Sequence, residues 1–307
     1  MSTVAHIPGG DTRAPVPVVT RRRSRVPYLL LLPGVAWLLI FFAAPMVFLL
    51  SQSLQTGSLE QGYRLTWHFA TYGDAISQFH SQMIRSFVYA GTATALGLLI
   101  GYPLAYTIAF KAGRWKNILL VLVIAPFFTS FLIRTLAWQT ILSGNGPVVG
   151  FFRWTHLMDL LRSVHFVVGN DLLSTPFAVV MGLTYNFLPF MVLPLFASLE
   201  RIDIRLLEAG GDLYAKPFTA FRKVTWPLSL PGVVAGTLLT FIPAAGDYIN
   251  SKLLGNADTT MIGQVIDGEF LRVLDYPTAA ALSFTLMLTI LVIVAIYVRR
   301  AGTEELV

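Results

Sequence analysis

Long apolar runs, separated by short polar segments, dominate the pattern of this chain. The hydrocarbon layer of a membrane is about 30 Å thick, so a helix that rises about 1.5 Å per residue needs about 20 mostly apolar residues to cross it. Six runs meet this requirement and predict an all-α, polytopic membrane protein with six transmembrane helices. The runs are Tyr28–Leu50, Phe87–Phe110, Ile118–Ile141, Phe177–Leu199, Val233–Leu254 and Ala279–Val298.

Two of these runs allow a second interpretation. Arg21, Arg22 and Arg23 precede the first run as they would in a signal peptide, but the run exceeds the 7–15 apolar residues that are usual there, which favours a retained membrane anchor. The fifth run contains Pro243, Gly246 and Asp247, so we expect it to depart from one straight helix.

Composition agrees with a membrane protein and excludes several other classes. Of 307 residues, 55% are apolar and 12% are charged, whereas soluble domains carry about 25% charged residues. The chain has no cysteine, which excludes a disulfide scaffold and a cysteine-based metal site. Its five histidines are scattered without metal-ligand or catalytic spacing, so we expect no metal, no catalysis and no enzyme.

The positively charged residues are concentrated in segments that would lie on one side of the membrane. The formal net charge is +6, and most Lys and Arg residues lie in residues 1–27, in the loops near 111–116 and 200–230, and at the end of the chain. Because cations collect on the cytoplasmic side, both termini are predicted to be cytoplasmic. This asymmetry makes a nucleic-acid partner unnecessary. The opposite loops are slightly acidic, which suits a cationic solute but also describes ordinary solvated loops.

These patterns predict three parts. Residues 1–27 form a disordered cytoplasmic tail, residues 28–300 form the six-helix domain with a patterned cytoplasmic loop at 200–232, and residues 301–307 form a second cytoplasmic tail.

The loop at 200–232 has the pattern of an amphipathic helix, a break and a second short helix. Glu208, Asp212 and Lys216 follow one another at four-residue spacing, and Pro217 favours the start of a helix. The break is predicted near residues 214–216. The opposite, apolar face suits either a docking protein or the lipid surface. This face contains Leu207, Gly211, Tyr214, Phe218 and Phe221.

The loop resembles the EAA loop in permease subunits of binding-protein-dependent ABC importers. That pattern is Glu-Ala-Ala, three residues, Gly, nine residues, then Ile-x-Leu-Pro; here it reads Glu208-Ala209-Gly210, three residues, Tyr214, nine residues, Val224-Thr225-Trp226-Pro227. Gly210, Tyr214 and Trp226 depart from the pattern. Tyr214 replaces a glycine that would adopt left-handed backbone angles at little cost, and Gly210 and Gly211 are an alternative source of the break.

Further segments are similar to the first permease subunit of spermidine/putrescine importers. Sister permeases for iron, thiamine or sulfate share this scaffold and remain alternatives, as does a self-sufficient secondary transporter, although the 200–232 pattern has no second copy. The segments are Gly101–Ala105, Pro126–Thr135, Leu188–Leu195, Pro231–Gly236 and Ile262–Asp267.

The resemblance implies the type I ABC importer permease fold in the cytoplasmic (inner) membrane of a prokaryote, with the loop acting as a coupling helix. The implied partners are an ATPase subunit dimer, a second permease subunit, an extracytoplasmic solute-binding protein and membrane lipid. The chain lacks a Gly-x-x-x-x-Gly-Lys-Ser/Thr phosphate loop, so ATP and Mg would be bound by the partner ATPase and no cofactor by this chain. The implied docking residues are Leu207, Glu208, Ala209, Gly210, Asp212, Leu213, Tyr214 and Phe218.

Ionisable groups at membrane depth are the candidates for contact with a solute. Asp247 is a possible counter-charge for an ammonium group, with Tyr248 beside it as an aromatic face. Alternatively, Asp247 pairs with Arg134 or a partner subunit, or lies near the outer surface. Arg134 would repel a polyamine, so we predict that it braces helices. Further candidates for the solute path, for which packing is the alternative role, are Trp138, Tyr185 and Asn186.

Overall fold

The computed structural model describes residues 26–155, 171–206, 208 and 216–301. Within the described residues, 26–48 and those from Leu49 onward belong to two separate compact units. Most of the predicted tail 1–27, all but the first residue of the tail 301–307, and the loop residues 207 and 209–215 lie outside the described residues. The helices are α1 Val26–Leu38, α2 Ala44–Ser53, α3 Ala70–Phe110, α4 Lys116–Ile124, α5 Phe131–Leu142, α6 Pro147–Trp154, α7 Pro176–Glu200, α8 Pro217–Ala220, α9 Trp226–Ala245, α10 Ile249–Leu254, α11 Ile262–Gly268 and α12 Tyr276–Ala301.

Shorter turns join several of these helices. Three π-helical turns connect α1 to α2, α8 to α9, and α11 to the segment before α12, and they cover Leu39–Ala43, Phe221–Thr225 and Glu269–Val273. Three 3₁₀ turns cover Gly113–Trp115, Ala125–Phe128 and Ala257–Thr259.

Five helical stretches in the described part of the chain are long and apolar enough to cross a membrane. They are Leu30–Ser53, Ala70–Phe110, Pro176–Glu200, Pro217–Ala245 and Tyr276–Arg300. A sixth span consists of two pieces, Gly113–Phe128 and Phe131–Trp154, which are bent by 95° at a short break. Counted as one broken span, this pair brings the total to the six spans predicted from the sequence.

Two predicted spans differ from the observed helices. The run Ile118–Ile141 is interrupted where Thr129 and Ser130 adopt extended backbone angles, just after a 3₁₀ turn that contains Pro126. The run Val233–Leu254 departs from one helix, as its Pro243, Gly246 and Asp247 predicted, because α9 ends at Ala245 and a separate short helix starts at Ile249. Gly246 at this end has φ −94° and ψ 3°. Asp247 therefore lies between two helices rather than inside one.

The core of the larger unit is a close packing of α3, α7 and α9. Small residues permit this approach, since association of helices in a membrane relies on van der Waals contact. A Cβ atom on Gly236 of α9 would lie 2.9 Å from Met191 Sδ, and one on Gly101 of α3 would lie 3.2 Å from Met191 Cγ. The Tyr102 hydroxyl also lies 2.8 Å from Ser229 Oγ, in a buried hydrogen bond between α3 and α9.

A short β-hairpin adds to the predicted all-α fold. Strands β1 Gln55–Ser58 and β2 Gly62–Leu65 pair antiparallel, with Gln55 opposite Leu65. Tyr63 donates a hydrogen bond to the Leu274 carbonyl oxygen just before α12. Strands of four residues are too short to show a periodicity in the sequence, and this hairpin was not predicted.

Candidate functional site

The second half of the predicted coupling loop contains α8 and the π-helical turn that lead into α9. Lys216 is extended, with φ −62° and ψ 148°, and Pro217 is the first residue of α8. The predicted helix start at Pro217 is therefore confirmed. The helix is not a separate short one, however, because α8 continues through the π-helical turn into α9 as one stretch, Pro217–Ala245.

Of the eight predicted docking residues, the structure describes Glu208 and Phe218. Glu208 is helical and exposed, and Phe218 is 73% exposed at the start of α8. These two residues present a carboxylate and an aromatic ring without a covering layer from the described part of this chain. The other six lie outside the described residues: Leu207, Ala209, Gly210, Asp212, Leu213 and Tyr214.

A cavity of about 540 Å³ adjoins this segment. It lies between the end of α7 and the start of α9, and its wall includes Ser198, Arg201, Asp203, Leu206 and Leu228. The wall is formed by both charged and apolar groups. A displacement of the segment after α7 would therefore change the space between α7 and α9 directly.

A buried polar network connects the three helices α5, α7 and α10. Asn186 on α7 donates from Nδ2 to Asn250 Oδ1 on α10 at 3.0 Å and to Thr135 Oγ1 on α5 at 3.3 Å. The backbone N–H of Asn250 donates to Asp247 Oδ1 at 2.8 Å. Thr135, Asn186 and Asn250 are at most 1% exposed, and Asp247 is 8% exposed. The predicted solute residues Asn186 and Asp247 are thus joined through Asn250.

This network leaves hydrogen-bonding capacity unused. Within the described structure, Asn186 Oδ1 and Asn250 Nδ2 are buried and have no hydrogen-bond partner. Unpaired buried polar groups cost about 1–3 kcal/mol each. A polar ligand, or a change of conformation, could therefore pair these two groups without breaking the existing hydrogen bonds.

The predicted aromatic candidates are engaged in contacts within this chain. Trp138 on α5 and Tyr185 on α7 form an edge-to-face pair with ring centroids 5.4 Å apart. Tyr248 is 40% exposed, but the ammonium group of Lys252 lies 5.6 Å from its ring centroid. Lys252 also forms an ion pair with Asp267 at 2.9 Å. The face of Tyr248 is thus already occupied by a cation in this conformation.

Arg134 lies in the first turns of α5, next to the break in the third span. Its guanidinium carbon is 5.6 Å from the ring centroids of both Phe127 and Phe131. Nε and Nη1 are buried and lack a hydrogen-bond partner in the part of the chain that the structure describes. The alternative pairing of Arg134 with Asp247 is not formed. The guanidinium instead bridges the two sides of the break through two aromatic rings, and its bracing role stays a prediction.

Thr135 and Asn250 belong to the site but were not predicted from the sequence. Asn250 follows Asp247 by three residues, which is the spacing of a side chain that accepts a hydrogen bond from the first turn of a helix. This spacing is compatible with such a bond, but the contact of Asn250 with Asn186, 64 positions away, has no signal in the sequence. Thr135 carries no signal either, because a threonine inside an apolar helix usually bonds to its own backbone.

Strand β1, the first turns of α3 and the start of α12 form an acidic pocket of about 260 Å³. Asp74 and Asp275 both contribute to its wall. Partial burial raises the pKa of the nearby Glu269 carboxyl, and the negative charge of Asp275 raises it further. A surface with this charge favours the approach of cations.

Comparison with known proteins identifies related sequences along most of the chain. Residues 93–301 match the family model of the binding-protein-dependent transport system inner membrane component. The spermidine/putrescine transport system permease protein PotB of Salmonella typhimurium (strain SL1344) is 35% identical over 86% of this chain and 90% of its own length. The PotB protein of Escherichia coli (strain K12) is 34% identical over 86% of this chain and 94% of its own length. These matches confirm the resemblance derived from the loop and span motifs.

Solved structures share the fold at lower sequence identity. The structure of a bacterial ABC transporter involved in the import of the acidic polysaccharide alginate matches with a TM-score of 0.62 and 19% identity, over 91% of this chain and 96% of the other. The alginate transporter in complex with an alginate pentasaccharide-bound periplasmic protein matches with a TM-score of 0.63 and 20% identity, over 92% of this chain and 94% of the other. The predicted importer permease fold is therefore confirmed.

Proposed function

This chain belongs to the family of binding-protein-dependent transport system inner membrane components, and we propose that it is the membrane permease subunit of an ATP-driven polyamine importer. The observation that carries the proposal is its 34–35% identity, over 86% of the chain, to spermidine/putrescine permease proteins. The acidic pocket near Asp74 and Asp275 and the buried carboxylate of Asp247 suit a cationic solute.

In this proposal both termini and the loop 200–232 face the cytoplasm. The distribution of Lys and Arg residues supports this orientation. A separate ATPase dimer binds ATP and Mg and docks against the loop through Glu208 and Phe218, which are exposed, and through the neighbouring residues outside the described structure. A second permease subunit completes the pathway, and an extracytoplasmic solute-binding protein delivers the polyamine.

Coupling would pass from the loop into α9. Because α8 continues into α9 without a break, a force on Phe218 acts along a single helical stretch that ends at Ala245. Asp247 follows that end, and Asn250 joins it to α7. Closure of the ATPase dimer would therefore displace the carboxylate as α9 moves, which alternates its access between the two sides of the membrane.

Asp247 is the proposed counter-charge for an ammonium group of the solute. Its Oδ1 atom is held by the N–H of Asn250, and the side chain is 8% exposed. A carboxylate in a low-dielectric site attracts a cation more strongly than one in water. Tyr248 contributes its ring only when Lys252 has moved away from it.

Uptake by cells that lack and then regain this gene tests the function. Labelled spermidine and putrescine should accumulate only with the gene present, while Fe(III), thiamine and sulfate should be unaffected. Asp247→Asn should lower polyamine uptake about tenfold, corresponding to about 1.4 kcal/mol, while Asp258→Asn, at an exposed position, should not. Transport of one of the other solutes instead would overturn the polyamine assignment and retain the family.

A further inference from the structure

The break in the third span exposes irregular backbone in the middle of a predicted membrane-crossing segment. Thr129 has φ −100° and ψ 150°, and Ser130 has φ −57° and ψ 136°. Both residues are exposed in this single chain, and Ser130 makes no side-chain cap to the first turn of α5. Irregular backbone at this depth is tolerated only when it is buried in protein or lines a water-filled cavity, because lipid offers no hydrogen bonds.

The side chains around the break favour protein over water. Phe128 is 86% exposed, Ile133 is 63% exposed and Leu132 is 48% exposed. A water-filled path lined by these residues would expose large apolar groups to solvent. Within the chain, the Thr129 N–H donates to the Pro126 carbonyl oxygen and the Ser130 carbonyl oxygen accepts from the Arg134 N–H. Lipid would cover the apolar side chains but offer no hydrogen bond to the other backbone groups of the break. A second protein chain satisfies both requirements.

Arg134 indicates the chemistry of that second chain. Its guanidinium carbon lies 5.6 Å from the ring centroids of Phe127 and Phe131, and Nε and Nη1 are buried without a hydrogen-bond partner among the described residues. Among the residues that the structure describes, no carboxylate forms an ion pair with Arg134. A cation at membrane depth is costly without a counter-charge, and the uncapped first turn of α5 adds positive potential beside it.

We propose that the surface formed by Phe128, Ile133 and Arg134 docks against the second permease subunit, which presents a carboxylate to Arg134. The inference rests on the proposed function, since it needs a second permease subunit in the assembly. It adds to that proposal an interface on this chain and a carboxylate of the second permease subunit that pairs with Arg134. In this arrangement the broken segment is fastened to the partner, while α9 moves with the coupling loop.

A photo-crosslinker at the break tests the interface without removing any charge. We would place p-benzoylphenylalanine at Phe128 of the complete transporter in native membranes. The control position is Leu288, which is 62% exposed on α12, a helix that packs against α3 of this chain. Ultraviolet light should join Phe128, and not Leu288, to the second permease subunit. Crosslinking of Phe128 to lipid alone, to this chain alone or to nothing would overturn the inference.

Charge exchange tests the ion pair. Arg134→Lys should keep most of the complex, whereas Arg134→Glu should lower the recovery of the second permease subunit about tenfold or more, since like charges meet at the interface. Exchanging the acidic residue of the crosslinked partner peptide for Arg should restore assembly of Arg134→Glu. Arg134→Gln that assembles and transports at the native level would overturn the pairing.

The two proposals fail in different ways. If the transporter imports polyamine but Phe128 does not crosslink to the second permease subunit, the interface proposal is overturned and the proposed function is retained. If this chain is isolated from native membranes without any second permease subunit, the proposed assembly itself is overturned.

Discussion

Asn186 on α7 donates a buried hydrogen bond to Asn250 on α10, with 3.0 Å between Nδ2 and Oδ1. Of the described spans, α7 is the one buried to the greatest extent. The bond connects it to the segment that follows the end of α9. Asn250 also contacts the candidate solute residue, because its backbone N–H donates to Asp247 Oδ1. The amide pair is thus the link between the packed core and the candidate solute residue.

Removal of the Asn250 side chain should destabilise the protein and disturb the position of Asp247. Asn250→Ala leaves the Asn186 amide without its partner on α10, which should cost about 1–3 kcal/mol. Thermal unfolding in detergent should show the loss, and the KM for polyamine uptake should rise. Asn145→Ala, at an exposed position, is the matched control. Native stability and native KM in Asn250→Ala would contradict a positioning role.

Gly236 should not accept even a methyl group. A Cβ atom there would lie 2.9 Å from Met191 Sδ and 3.0 Å from the Met191 carbonyl oxygen. The backbone atom cannot move aside as a side chain does, so Gly236→Ala should lower the free energy of unfolding by about 1–3 kcal/mol. Gly91→Ala in α3 meets no atom within 4 Å and should be neutral or stabilising. Equal unfolding temperatures for the two variants would refute the packing argument.

Leu274 should prefer replacement by glycine over alanine. Its φ of 63° lies in the left-handed region, where a side chain costs about 1–2 kcal/mol. Leu274→Gly should therefore be more stable than Leu274→Ala, by about 1 kcal/mol. At the neighbouring Val273, in the π-helical turn, the order should reverse, because glycine weakens helical backbone by about 1 kcal/mol. Paired thermal melts of the four variants measure both differences, and the same order at both positions would contradict the prediction.

Glu208→Lys should uncouple ATP hydrolysis from transport. Glu208 is helical and exposed in the segment that follows α7, and reversal of its charge should weaken docking on the ATPase without unfolding the membrane domain. Purified transporter should then hydrolyse ATP with little solute uptake into vesicles. Glu60→Lys, in an exposed loop on the opposite face, should leave the ratio of uptake to hydrolysis unchanged. Normal coupling in Glu208→Lys would remove this residue from the docking contact.

Part of the candidate site was readable from residue type and position. Asp247 and Arg134 stand out because ionisable groups are rare within apolar runs, and Pro217 indicates a helix start that the structure confirms. Trp138 and Tyr185 were also selected from the sequence, and their place in a solute path stays a prediction. Their contact with each other depends on the approach of α5 to α7. Thr135 and Asn250 were missed for the same reason, because their hydrogen bonds join residues 51 and 64 positions apart.

The amino-acid sequence by itself determined the helical membrane fold and the family, and it predicted six spans and their orientation. These properties follow from the length of apolar runs, the distribution of Lys and Arg, and local motifs, all of which act over short stretches of chain. Only the tertiary structure decided where the third and fifth runs break and which buried groups meet. Helix ends and polar pairs depend on competition between local backbone preference and contacts from distant helices, such as the one that Asn186 makes with Asn250.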